Sequence, residues 1–169
     1  MWQYNQTPYI CHYGVKGMKW GVRKIIRAEP LIQTRKAQKS DIKDITDMLD
    51  GLPQKDKKFL ALDMKYSVIK QAIKDGRHCT IATDNGKIVG FLRESGRPKG
   101  FNLLEELVVS PEHRGKGIAS KLLDDFHEVH PKALATTKAD NNGMITLLKK
   151  KRYKPIDPDS KLIIHWVRE

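Results

Sequence analysis

The stretch LEELVVSPEHRGKGIASKLL, Leu104 to Leu123, decides the reading of this chain. Its apolar run LVV stops at Ser110 and Pro111, a turn with Arg114, Gly115, Lys116 and Gly117 follows, and apolar residues return four apart at Ile118, Leu122 and Phe126. The run predicts a strand, the spacing predicts an amphipathic helix, and the turn therefore lies at a helix N-terminus. There the first backbone N–H groups lack intrahelical acceptors and the helix dipole is positive, so a phosphate is the natural ligand. Gly115 and Gly117 have no Cβ to hold a diphosphate off the backbone, while Arg114 and Lys116 add charge. The segment reads as a diphosphate cradle. A P-loop would need GxxxxGK before Ser or Thr, and the dinucleotide fingerprint GxGxxG fails at Ser120.

Working outward, LIQTRKAQ is strand-like, and Ser40 is read as the cap of a helix with Ile42, Ile45, Leu49 and Leu52 on one face, ended by Gly51 and Pro53. A second helix is read through Phe59, Leu62, Tyr66, Ile69 and Ile73, stopped by Asp75 and Gly76. HCTIATDNGKIVGFLRE holds two β-rich runs about Asn85 and Gly86, the strongest short hairpin signal. FNLLEELVVS is the next strand, GKGIASKLLDDFHEVH a helix, KALATTKA a strand, NNGMITLLKKKR a helix and KLIIHWVRE a last strand. The order βααβββαβαβ predicts an α+β layered domain, a mixed and mostly antiparallel sheet with helices on both faces. Residues 1–29 interleave Trp, Tyr, Gly, Lys and Arg without a period of 2 or 3.6, so they are read as an extension and 30–169 as the domain.

Composition narrows the class. The 169 residues hold 39% apolar residues with no uninterrupted apolar run of membrane-spanning length. Cys11 and Cys79 are too few for a disulfide framework or a four-ligand zinc site, which makes a reducing compartment the easier reading. No basic residue precedes an apolar run at the start, so no secretory signal is expected and the cytoplasm is the expected address. The 32 Lys and Arg against 20 Asp and Glu give a formal net charge of +12, which favours anionic partners without choosing between nucleic acid, a phosphate-rich cofactor and an acidic surface.

The pattern Arg or Gln, x, x, Gly, x, Gly or Ala is met by Arg114, Gly117 and Ala119 after LVVSPEH. It resembles the acyl-coenzyme A segment of the GNAT N-acetyltransferases, whose order of elements is also similar over about residues 31–169. The resemblance implies acetyl-CoA as co-substrate, its pyrophosphate on the amides of Arg114, Gly115, Lys116, Gly117, Ile118, Ala119 and Ser120, and its pantetheine arm along Leu107, Val108 and Val109. DNNGMITLLKKKRYKP resembles a later motif of the family, placing Asn141 at its Asn and Arg152 with Tyr153 at its terminal Gly-Phe-like pair. Leu148 stands where many members carry a proton-donating tyrosine, which leaves Tyr153, Tyr66, water or no acid at all for the departing thiolate.

Acetyl transfer needs a neutral amine, so a base is required. Glu105 and Glu106 lie just before the valines, and strand alternation turns one into the cleft and the other away. Glu105 is preferred slightly. The oxyanion would meet the Val108 N–H. Cys79 reads as core, His113 as a solvated turn residue, and His127 and His130 lack partners at metal spacing, so no metal is expected. The expected activity is acetyl transfer from acetyl-CoA to a primary amine, on a small molecule or a protein. A catalytically weak or inactive module that keeps the fold and binds CoA as a virion or adaptor protein is the alternative. Within the extension, GVKGMKWG, with His12 before it and Arg23 after, resembles a short element of bacteriophage and prophage proteins, several virion-associated. That resemblance implies a phage or prophage origin and an anionic or virion partner.

Overall fold

The structure, a computed structural model, describes residues 32–60, 66–77, 79–96 and 101–169; the extension read at 1–29 lies outside them. Strands β1 (Gln33–Lys36), β2 (Cys79–Asp84), β3 (Lys87–Gly96), β4 (Asn102–Val109), β5 (Ala133–Lys138), β6 (Lys154–Pro155) and β7 (Ile163–Arg168) form one seven-stranded sheet in the order β1-β2-β3-β4-β5-β7-β6. Neighbours run antiparallel except β4 and β5. Asn85 and Gly86 both take positive φ in the β2–β3 turn, the conformation that an Asn-Gly pair supplies at little cost.

Each face of the sheet has its own core. On one, α1 (Ile42–Asp50) and α3 (Tyr66–Lys74) bury Ile45, Leu49 and Ile69 against Ile81, Phe91 and Val108. On the other, α4 (Ile118–Val129) and α5 (Asn142–Lys150) bury Leu122, Phe126 and Leu148 against Leu92, Leu104 and Trp166. Gly90 on β3 sets how close α4 comes, because a Cβ there would stand 3.1 Å from both Ile118 Cγ2 and Leu122 Cδ1. The bare strand thus seats the first turn of α4 and, with it, the turn before that helix.

Three expectations change. The second helix is divided: a short α2 (Gln54–Lys57) restarts at Pro53, buries none of its polar residues, and leaves Phe59 in a turn, while α3 starts only at Tyr66. Leu62 falls outside the described residues. Ser40 is not the cap of α1; it sits in a 3-10 turn, and Asp41 accepts the Gln38 N–H at 2.7 Å while also holding Arg35 at 2.7 and 2.8 Å. The strand β6, two residues paired with Val167 and Trp166, is too short to leave a period in the sequence.

At the end of α5, Tyr153 N donates to Leu148 O at 3.0 Å and Arg152 N to Lys149 O at 3.1 Å, with Arg152 at φ +65°. This is a Schellman cap whose left-handed position usually belongs to glycine. Arginine there carries the Cβ penalty, so Arg152→Gly is expected to raise stability by about 0.5–1 kcal/mol and the melting midpoint by about 2–3 °C, read by thermal denaturation.

Candidate functional site

β4 and β5 pair only through Asn102–Leu104 against Ala133–Ala135. Beyond them β5 continues on β7, and among the described residues no strand pairs with β4 from Glu105 to Val109 on that side. A cleft of about 760 Å³ opens in the wedge. Glu105, Glu106 and Val108 line one bank, Thr136, Lys138 and Asn141 the other.

The wedge starts at a bulge. Glu106 lies opposite Arg93 and Leu104 opposite Glu94, so Glu105 is the extra residue of β4. Such an extra residue breaks strict alternation. Leu104, Leu107 and Val109 pack with the α4 and α5 core and Val108 with the α1 and α3 core, which leaves both glutamates on the α1 and α3 side. Both residues lie along the cleft, and the bulge removes the strict alternation on which the expectation of one inward and one outward carboxylate rested. Arg93, buried on β3, ion-pairs with Glu105 at 2.5 Å and fixes that carboxylate. Sequence reasoning missed Arg93, because the register that brings it to Glu105 depends on the bulge.

At the wide end, Pro111–His113 makes a 3-10 turn, Gly115 and Gly117 take φ +76° and +77°, and Gly117 is the N-cap of α4. A Cβ at either glycine would meet nothing within 4 Å, so the space above the turn is open. Lys121 N is the first amide of α4 to find its helical acceptor, Gly117 O, which leaves the amides of Ile118, Ala119 and Ser120 to an outside partner. The Ile118 side chain is buried in the core and can contribute only its backbone. Arg114 and Ala119 line the cleft, as do Leu107, Val108 and Val109.

Behind the turn His113 is held on both ring nitrogens, 2.8 Å from Ser110 Oγ and 3.3 Å from Asp84 Oδ2, so it braces the turn against the β2–β3 hairpin and is not a solvated residue. Asn141 accepts the Met144 N–H at 3.2 Å and caps α5 at the cleft's edge.

Tyr153 is corrected as a candidate acid. Its ring is buried on the α4 side, its hydroxyl lies 2.9 Å from His127 Nε2, and it does not line the cleft. Burial pushes the phenol pKa well above its usual value and lowers His127 to about 4. The folded chain therefore resists a proton that the unfolded histidine accepts near pH 6.5. This stability is present above pH 6.5, falls as the pH drops from there toward 4, and stays lost below. A plot of melting midpoint against pH should show this loss in the wild type and a shallower one in His127→Gln.

Among the described residues no three of His, Cys, Asp and Glu cluster where they could hold a metal ion, and no helix is long and apolar enough to cross a membrane.

Residues 75–152 match the acetyltransferase (GNAT) domain family, and residues 7–25 match a family of unknown function, DUF7211. No curated protein sequence matches the chain. Among solved structures, it is similar to the GNAT domain of S. lividans PAT at TM-score 0.69 and 15% identity, over 80% of this chain and 89% of that one. It is also similar to the Escherichia coli ribosomal-protein-S18-alanine N-acetyltransferase at TM-score 0.65 and 12% identity, over 82% and 93%. A third likeness is to the Brucella melitensis ribosomal-protein-alanine N-acetyltransferase at TM-score 0.61 and 18% identity, over 81% and 98%. At these identities the likeness shows the fold: the mixed seven-stranded sheet with helices on both faces is that of the GNAT acetyltransferases.

Proposed function

We propose that this chain is an N-acetyltransferase that takes the acetyl group of acetyl-CoA to a primary amine. One observation carries the reading: the glycine turn at the start of α4 adjoins a stretch of β4 that pairs with β3 on one side and is left open on the side of β5. The amides of residues 115–120 would hold the diphosphate, the Arg114 N–H being taken by Pro111 O at 3.3 Å, and the Leu107 and Val109 backbone, whose N–H and C=O groups face away from β3, would pair with the amides of the pantetheine arm. Bound acetyl-CoA supplies a thioester whose carbonyl carbon is the electrophile.

Glu105 and Glu106 draw in the cationic amine, and Glu105, fixed by Arg93, takes its proton directly or through a water. The freed lone pair forms the C–N bond while the C–S bond breaks. Val108 cannot be the oxyanion donor expected of it: Ser110 N donates to Val89 O at 2.9 Å, so two residues back the Val108 N–H also points at β3, and the cleft-side N–H groups of this strand, those of Leu107 and Val109, are the ones that could meet the charge developing on the carbonyl oxygen. With Leu148 wholly buried and Tyr153 turned to His127, no tyrosine lies among the described residues of the cleft, so the thiolate leaves without one.

That same absence favours a second reading, a module that binds CoA without turnover. Free-thiol release from acetyl-CoA, measured over a panel of small amines and N-terminal peptides, separates the two. Amine-dependent release supports the enzyme, and binding without release supports the module.

The resemblance of GVKGMKWG to phage elements and the surplus of positive charge motivate a phage- or prophage-encoded chain, acting in the host cytoplasm, with residues 1–29 as a separate tag for an anionic or virion partner. Removal of residues 1–28 should then leave CoA affinity unchanged by calorimetry; a loss of binding would sink the idea of an independent tag.

A further inference from the structure

Residues 54–60 cross the mouth of the cleft. On one bank Asp56 Oδ2 lies 3.2 Å from Arg114 Nη1. Two residues later, Lys58 Nζ lies 2.6 Å from Asp140 Oδ2 on the other bank, and Lys138 Nζ donates to the Lys58 carbonyl at 2.5 Å. Phe59 and Leu60 line the cleft beneath. Residues 54–60 are thus a strap fastened on both sides, over the face from which Glu105 and Glu106 project.

The two fastenings differ in kind. The Lys58–Asp140 pair is exposed and hydrogen-bonded, with side-chain exposures of 50% and 59%. Asp56 is 16% exposed in its side chain, and its buried Oδ2 makes no hydrogen bond among the described residues despite the nearby guanidinium. A buried carboxylate oxygen without a hydrogen bond is unfavourable. Arg114 already donates its Nε to the Val109 carbonyl at 3.2 Å, so its remaining N–H groups are what Asp56 and any other anion must share. This arginine also opens the diphosphate cradle. A diphosphate offers it more negative charge and better donor–acceptor alignment than Asp56 does.

We propose that Asp56 is an internal competitor for Arg114, which keeps the strap closed over the acceptor side until a coenzyme diphosphate displaces it. Release at Asp56 leaves the strap tethered at Lys58, so it swings from the far bank. Coenzyme loading and acceptor access are then coupled through one guanidinium. The inference rests on the reading of the cleft as a coenzyme site.

The test is calorimetric titration of CoA into the full-length wild type, Asp56→Asn, Arg114→Ala and the double variant. Removing the competitor should tighten CoA binding about threefold or more at low salt, a gain of the size a single ion pair allows. The gain should vanish in the Arg114→Ala background and shrink at about 0.5 M salt. Damage to the fold cannot produce tighter binding. Hydrogen exchange at residues 54–57 should also quicken when CoA is added to the wild type. Affinity that is unchanged or weaker in Asp56→Asn, or an equal gain without Arg114, overturns the competitor. A wild type that binds no CoA at all overturns the coenzyme reading itself, and the two failures are therefore distinct.

Discussion

Gly117→Glu is expected to cost coenzyme affinity about a hundredfold or more while the chain stays folded. The residue caps α4 at φ +77° with open space above it, so the new carboxylate projects where a diphosphate would sit. Two like charges about 4 Å apart at a protein surface repel by about 4 kcal/mol, which exceeds the backbone penalty of roughly 1–2 kcal/mol at this φ. Gly117→Asn separates the two effects. Asparagine tolerates the left-handed conformation, adds no charge and should weaken CoA by less than about tenfold. Titration calorimetry on both variants, with melting midpoints as the check on folding, reads the result; equal affinities in wild type and Gly117→Glu would rule out the cradle.

The second large effect is at the bulge. Glu105→Gln is expected to lower kcat by about a hundredfold near neutral pH, within the range that general bases supply, and to leave CoA affinity unchanged. The deficit should shrink as the pH approaches that at which the acceptor amine deprotonates unaided. Because Arg93 is buried against Glu105, the amide also removes that ion pair. Glu105→Asp keeps the charge and withdraws the carboxylate by one methylene, so a similar loss of kcat in a chain of near-normal stability assigns the effect to the proton. Glu106→Gln should cost less than about tenfold. A Glu105→Gln enzyme with wild-type kcat at every pH would remove the residue from the reaction.

The local signals read well where the physics is local. Asn85-Gly86 fixes a hairpin through its own backbone preferences, and the glycine turn before Ile118 is legible because helix starts and phosphates want the same unshielded amides. The strand order through the middle of the chain follows from such punctuation.

What stayed hidden depends on register and on neighbours. Nothing in LEEL marks Glu105 as the bulged residue; that emerges only when β3 and β4 are paired from both ends, and it moves both glutamates to one face. The resemblance sets Tyr153 at the Phe-like position of the later motif, yet beyond the cap at Arg152 its ring is turned inward to His127. The strap reads as part of a longer helix, because Phe59 falls in step with Tyr66 and Ile69. Its polar residues find partners about 60 and 80 positions away, at Arg114 and Asp140, which no local pattern records.

The most direct measurement of the central claim is thermal unfolding of the full chain with and without millimolar acetyl-CoA. A ligand at about a hundred times its dissociation constant adds roughly 2.7 kcal/mol to the native state, which for a chain of this size lifts the midpoint by about 5–10 °C. That shift is expected in the wild type and is expected to be lost in Gly117→Glu. An unchanged wild-type midpoint at that concentration would contradict a coenzyme site in the cleft between β4 and β5.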